Sequence, residues 1–189
     1  MARARRGRSE RARAPVPRVR AILEVLARHR VDYIVIGGIG VRLWGSPRLT
    51  EDVDICPATE RANLERLASA LQEMDAKFQP LDMEEGAPTP PWDARAFGPH
   101  LGASLATTTR FGWLDLWFRP TGTDGYPDLI KGAATVEVQD LAVRLASLDD
   151  IIRSKAASGR DKDLEAMRHL QELRREIEMR AAHGPSLDD

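Results

Sequence analysis

Asp52-Val53-Asp54 is the segment of this sequence whose residue types and spacing are best suited to chemistry. Two acids at i and i+2 on a strand project from the same face, because strand side chains alternate with period two. Carboxylates held that close repel each other, and a buried sheet adds a desolvation penalty. A divalent cation removes both costs. Oxygen ligands on a rigid strand suit Mg²⁺, which takes a few carboxylates and completes its shell with water and substrate phosphates. A third acid, Asp115, lies inside Trp113-Leu114-Asp115-Leu116-Trp117, an apolar run in which a lone carboxylate needs an explanation. Three such acids can hold two metal ions for in-line phosphoryl chemistry. Upstream, Gly37-Gly38 follow directly on an apolar stretch, and glycines there let backbone N–H groups approach phosphate oxygens. Each signal alone has an ordinary structural counterpart: an exposed Asp-x-Asp strand, an acid paired with arginine, a Gly-Gly turn. Their combination carries the chemistry.

The elements that must position these residues are legible as patterns. Val19, Ile22, Leu23, Leu26 and Ala27, after Pro15 and Pro17, form an apolar stripe that predicts a helix over 16–30. Residues 31–36 read as a buried, β-branched strand stopped by Gly37-Gly38, then a short helical turn over 39–44 closed by Gly45 and Pro47. Residues 51–56 alternate acid and apolar side chains, which makes a strand with one charged face. Pro57 ends it, and Thr59 is placed to cap a helix running to 75, with Leu64, Leu67, Ala68 and Leu71 inward. A strand over 77–83 leads into a breaker-rich loop over 84–99, containing Gly86, Pro88, Pro90, Pro91, Gly98 and Pro99. Hairpins are expected from 105–109 with 113–118 and from 134–138 with 141–145. From Ser147 the pattern is helical, broken at Ser158-Gly159 and resumed over 161–182 with Leu164, Met167, Leu170 and Leu173 inward. This order predicts an α+β (mixed α/β) fold, a small mixed sheet backed by helices with further helices at its C-terminal end.

Composition narrows the class. With 189 residues, 42% hydrophobic and 30% charged, the chain can build one ordinary core rather than two. No stretch approaches the roughly 18 to 20 consecutive apolar residues of a membrane span. A single cysteine, Cys56, excludes an internal disulfide framework and a Cys-rich zinc site. Without a signal-peptide pattern either, the expectation is a soluble cytoplasmic protein with no membrane partner. Net charge is −1, but the first 20 residues carry eight arginines against Glu10, a local balance of +7 that leaves −8 for the remainder. Residues 1–15 are expected to be a disordered basic tail and 184–189 a second tail, around a folded unit over 16–183. The basic tail reads either as an electrostatic arm for nucleic-acid phosphates or as a solvated leader. His29, His100, His169 and His183 show no ligand spacing. The four tryptophans, Trp44, Trp92, Trp113 and Trp117, read as packing residues, with Trp92 also placed in the long loop where it could cover a nucleotide.

Taken together, Gly37-Gly38, then Gly45-x-x-Arg48-x-Thr50-x-Asp52-x-Asp54, then Asp115 resemble the DNA polymerase β-like nucleotidyltransferase superfamily. The resemblance implies a sheet of that type and a Mg²⁺-dependent transfer of an NMP from an NTP to an acceptor hydroxyl. It implies two Mg²⁺ ions at Asp52, Asp54 and Asp115, with Asp115 also helping to deprotonate the acceptor. Gly37 and Gly38 would hold the triphosphate, and Arg48 and Thr50 would line the nucleotide site. The C-terminal stretches Ser147-Leu148-x-Asp150-x-Ile152-x-x-Lys155 and Gly159-Arg160-x-Lys162-Asp163-x-x-Ala166 are most similar to the AbiEii and MenT type of toxin nucleotidyltransferases. That likeness implies that Lys155 contacts NTP phosphates and takes part in catalysis, and that Asp163 orients the site with Arg160 and Lys162 in support. It also implies the tRNA 3′ end as acceptor and a cognate antitoxin as partner. Thr50 matches the residue whose phosphorylation silences some of these toxins, and a phosphate there would add about −1.5 to −2 charges beside Asp52. A physical case stands beside the likeness, since cations facing three acids and their metals are what a polyphosphate needs. For Lys155 the alternative is a solvated helix lysine. Antibiotic-modifying nucleotidyltransferases have a similar Gly-Gly and acid-x-acid layout. A cationic aminoglycoside is therefore the second expected acceptor, with Asp82, Glu84, Glu85 and Asp93 as candidates to receive it. A non-catalytic RNA- or antitoxin-binding module is the third reading.

Overall fold

The computed structural model of the chain describes residues 18–79, 91–159 and 161–183. The basic tail, the C-terminal tail, Asp82, Glu84, Glu85, Arg160 and the side chains of Lys162 and Leu164 lie outside the described residues.

Helix α1 (Val19–Arg28) turns Ile22, Leu23 and Leu26 inward as its stripe prescribes, with Val25 buried beside them and Ala27, expected in the stripe, exposed. Strand β1 (Tyr33–Ile36) follows and runs straight into α2 (Gly37–Leu43). Next come β2 (Asp52–Pro57), α3 (Arg61–Glu73) and the two-residue β3 (Lys77–Phe78). After a single 3-10 turn at Gly98–His100, β4 (Ser104–Thr109) and β5 (Gly112–Trp117) form the first hairpin. A one-turn helix α4 (Tyr126–Leu129) precedes the second hairpin, β6 (Ala134–Val138) with β7 (Leu141–Leu145). Helices α5 (Leu148–Ser158) and α6 (Asp161–His183) end the described chain.

The seven strands form one mixed sheet in the order β3-β4-β5-β2-β1-β7-β6. Strand β2 is antiparallel to β1 and parallel to β5, and β7 is parallel to β1. All four residues of β1 are apolar, as expected of a central strand covered on both faces. One face packs Val35, Val53, Ile55, Leu114 and Leu116 against α1 and α3. On the other face Ile34, Cys56 and Ala146 meet Val41, Leu148, Ile151, Leu170 and Leu173, from α2, α5 and α6. Burying a side chain such as Leu67 or Leu71 contributes about 1.5 to 3 kcal/mol, so α3 is held chiefly by its apolar stripe. Asp52 and Asp54 alternate with Val53 and Ile55 along β2 and so lie on the second face, under α2, α5 and α6.

Several local expectations are corrected. Helix α2 begins at Gly37, two residues earlier than predicted, because strand and helix adjoin without a loop. Thr59 does not cap α3; the cap position is Glu60, with no side-chain cap bond. Asn63 secures that turn instead, accepting from the Asp32 N–H at 2.7 Å and donating to the carbonyls of Asp32 at 2.9 Å and Ala58 at 2.8 Å. Trp92 is not a nucleotide cover: it is buried, donates Nε1–H to the Ala76 carbonyl at 2.8 Å and stacks on Phe97 at 5.9 Å. Ser147 caps α5 as the sequence pattern suggests: its Oγ accepts from the Asp150 N–H at 3.1 Å and donates to Asp150 Oδ2 at 2.7 Å. Gly159 closes it at φ +60°, the left-handed position that terminates helices. No described helix is long and apolar enough to cross a membrane.

Candidate active site

Strand register assembles the acids. Asp54 lies opposite Asp115 across the parallel β2–β5 pair, and Asp52 lies opposite Trp113. Since Asp52 is two residues from Asp54, all three carboxylates share one face, and one oxygen from each lies within 4.8 Å of the others. Asp115 is buried, and Asp52 and Asp54 are partly buried. Burial, then the charges of Asp52 and Asp115, push the Asp54 carboxyl up to about 7, while hydrogen bonds from Trp117 and the Gly38 backbone oppose the rise. Such a cluster is electrostatically suited to a hard divalent cation, and an all-oxygen donor set suits Mg²⁺ over softer metals.

The paired glycines are dictated by the same geometry. Ile36 pairs with Asp54, so the chain leaves β1 beside that carboxylate. A Cβ on Gly37 would overlap Asp54 Oδ2, and one on Gly38 would overlap the Thr50 hydroxyl. Gly37 also has φ +62°, a conformation that side chains rarely adopt. Thr50 Oγ1 donates to Asp52 Oδ1 at 2.8 Å, and Trp117 Nε1–H donates to Asp54 Oδ1 at 2.8 Å. Each β2 acid is thus held by a donor from outside its own strand.

Across from the acids, α5 presents Lys155, whose Nζ donates to Asp163 Oδ1 at 2.9 Å; Ser158 Oγ donates to Asp163 Oδ2 at 2.6 Å. Asp163, at the start of α6, is only 1% exposed, so these bonds offset its burial. Nearby, Ser46 Oγ pairs with His169 Nε2 at 2.9 Å and ties the segment before β2 to α6. All of these groups except Ser46 line one cavity of about 560 Å³, within the usual range for small-molecule sites.

Among the residues singled out by sequence, Asp52, Asp54, Asp115, Gly37, Gly38, Arg48, Thr50, Lys155 and Asp163 all line this cavity. For Arg160 and the Lys162 side chain there is no described position. Sequence reasoning assigned no site role to Trp117, His169, Asp150 and Ser154, which line it as well. Trp117 could have been found, being two residues beyond Asp115 on one strand and hence on its face. His169 and Ser46 carry no such local signal.

No protein-family profile and no curated protein matches the chain. Solved structures do. The lincomycin-bound lincosamide antibiotic adenylyltransferase LnuA aligns with a TM-score of 0.53 and 16% identity, over 82% of this chain and 95% of that one. A Thermotoga maritima protein assigned as a nucleotidyltransferase gives 0.51 and 15%, over 82% and 90%. The antibiotic-resistance factor ANT(2″)-Ia gives 0.50 and 16%, over 87% and 91%. At such identities the likeness is one of fold. This chain has the mixed-sheet fold found in these nucleotidyltransferases, with three acids of its own on the face that α2, α5 and α6 enclose.

Proposed function

We propose that this protein is a Mg²⁺-dependent nucleotidyltransferase that moves an NMP from an NTP to an acceptor hydroxyl, releasing pyrophosphate. The observation that carries the proposal is the meeting of Asp52, Asp54 and Asp115 within 4.8 Å, in a cavity shared with Gly37, Gly38 and Lys155. Asp52 and Asp54 would hold the ions that carry the triphosphate, and Asp115 would complete the second site. Bound Mg²⁺ supplies positive charge to the attacking and leaving oxygens. The acceptor oxygen forms its new bond to the α-phosphorus as the bond to pyrophosphate breaks in line. Asp115, buried beside Asp54, receives the proton of the acceptor hydroxyl. Lys155 binds phosphate oxygens, and its tie to Asp163 limits the side-chain freedom lost on binding. Thr50 fixes the Asp52 carboxylate.

Two acceptor classes have separate support. The Lys155–Asp163 pair favours the AbiEii and MenT likeness, and with it the tRNA 3′ end, an antitoxin partner and Thr50 as a point of control. The arginines of the first 20 residues suit that partner. Alignment over 95% of LnuA and 91% of ANT(2″)-Ia favours a small antibiotic-like acceptor. Possession of all three acids argues against an inert binding module. Incubating the protein with each α-labelled NTP, Mg²⁺ and either total RNA or a panel of lincosamides and aminoglycosides decides the matter. Label on tRNA establishes the first class, label on a small molecule establishes the second, and label on neither refutes the proposal.

A further inference from the structure

The indole N–H groups of Trp44, Trp92 and Trp117 have partners that separate packing from function. Trp44 donates to the carbonyl of Ala146 at 2.9 Å, and Trp92 donates to the carbonyl of Ala76 at 2.8 Å. Both bonds satisfy backbone, as the N–H of a packing tryptophan does. Trp117 differs, because its N–H meets a carboxylate oxygen of the acidic cluster, Asp54 Oδ1, at 2.8 Å.

We infer that Trp117 is a positioning residue for the Asp54 carboxylate, holding it in the orientation that receives a divalent cation. The inference rests on the reading of Asp52, Asp54 and Asp115 as metal ligands. Parallel pairing of β2 with β5 sets Asp54 opposite Asp115, and the strand period of two puts Trp117 on the same face one step further on. An indole N–H donates and cannot accept, so its partner must be an acceptor, as Asp54 Oδ1 is. With the carboxylate ionised to receive a cation the bond is charge-assisted, and it lies in a partly buried site, where such bonds are strong. It has a geometric task. Asp54 faces two like charges, and a carboxylate free to rotate would turn away from them. The indole from β5 and the Gly38 N–H from α2 restrain it from two different elements. Asp52 receives a corresponding donor from Thr50, so both β2 acids are held before any ion arrives. Partners of this kind commonly contribute 10- to 100-fold to metal affinity.

The test is Mn²⁺ binding to the full chain, followed by electron paramagnetic resonance, for wild type, Trp117→Phe, Trp117→Gln, Asp52→Ala, Asp54→Asn and the double variant Trp117→Phe/Asp54→Asn. Phe keeps the aromatic ring and removes the donor, so affinity is expected to fall about tenfold while the unfolding midpoint stays near that of wild type. Gln restores a donor and is expected to recover part of the loss. In the Asp54→Asn background, where the amide oxygen accepts more weakly, Trp117→Phe is expected to cost clearly less than it does in wild type. Wild-type affinity in Trp117→Phe, with binding lost in Asp52→Ala, would overturn the inference and leave the metal-site reading intact. Equal loss in Trp117→Phe with and without Asp54 would also overturn it. Wild-type protein and Asp52→Ala that bind Mn²⁺ equally would overturn the metal-site reading itself. If Trp117→Phe does not fold, Trp117→Gln carries the comparison, and an affinity that is unaffected by Asp54→Asn refutes the inference.

Discussion

Asp54→Asn removes one of three mutually repelling carboxylates while keeping the size and shape of the side chain. In the metal-free protein, burial and the neighbouring Asp52 and Asp115 push Asp54 up to about 7, against about 3.9 for an unperturbed aspartate. Between those values the folded state binds a proton that the unfolded chain has released, so stability falls as pH rises through roughly 4 to 7. At about 1.36 kcal/mol per pH unit, ionising Asp54 in the folded state costs up to about 4 kcal/mol above pH 7. Asn escapes this cost but weakens the bonds from Trp117 and the Gly38 N–H, which returns about 1 to 2 kcal/mol. A net gain of roughly 2 kcal/mol is expected at pH 8, and a smaller one at pH 5. Urea unfolding in EDTA at both pH values measures it. Saturating Mg²⁺ should reverse the order, since it stabilises only the protein that binds it. A variant no more stable than wild type at pH 8, or equally favoured at both pH values, refutes the electrostatic account.

Other perturbations test separate parts of the site. Gly37→Ala forces a side chain into a φ of +62° against the Asp54 carboxylate; a loss of about 1 to 3 kcal/mol in chemical denaturation is expected. Thr50→Val removes the donor to Asp52 Oδ1 and should raise the KM for Mg²⁺·NTP about three- to tenfold, with kcat less affected. Asp163→Asn leaves Lys155 without its charged partner; steady-state kinetics should show a raised KM for NTP, and thermal melting a lowered midpoint.

What the sequence disclosed and what it hid divide along physical lines. The β6–β7 hairpin was legible at its observed bounds because alternation and a short turn are local signals. So was the shared face of Asp52 and Asp54, which needs only the period of a strand. Asp115 was marked by its apolar neighbours. The β2–β5 pairing was not legible, although it brings Asp115 to Asp54, because strand pairing between distant segments leaves no trace in either one. The same holds for the Trp117–Asp54 bond across 63 positions and the Ser46–His169 bond across 123. Gly37-Gly38 was read as a phosphate approach. The tight passage from β1 into α2, beside Asp54 and Thr50, adds a steric demand that only the tertiary structure reveals. Thr59 was the wrong cap because Asn63 already secures the turn through three bonds to backbone.

Transfer of label from α-³²P-NTP to an acceptor, with wild-type protein and Asp115→Ala compared at equal concentration in Mg²⁺ and again in EDTA, tests the three-carboxylate centre most directly. The account predicts Mg²⁺-dependent transfer with pyrophosphate release by wild type, and at least a hundredfold less, roughly, by a folded Asp115→Ala. Undiminished transfer by that variant, or transfer that persists in EDTA, would contradict it.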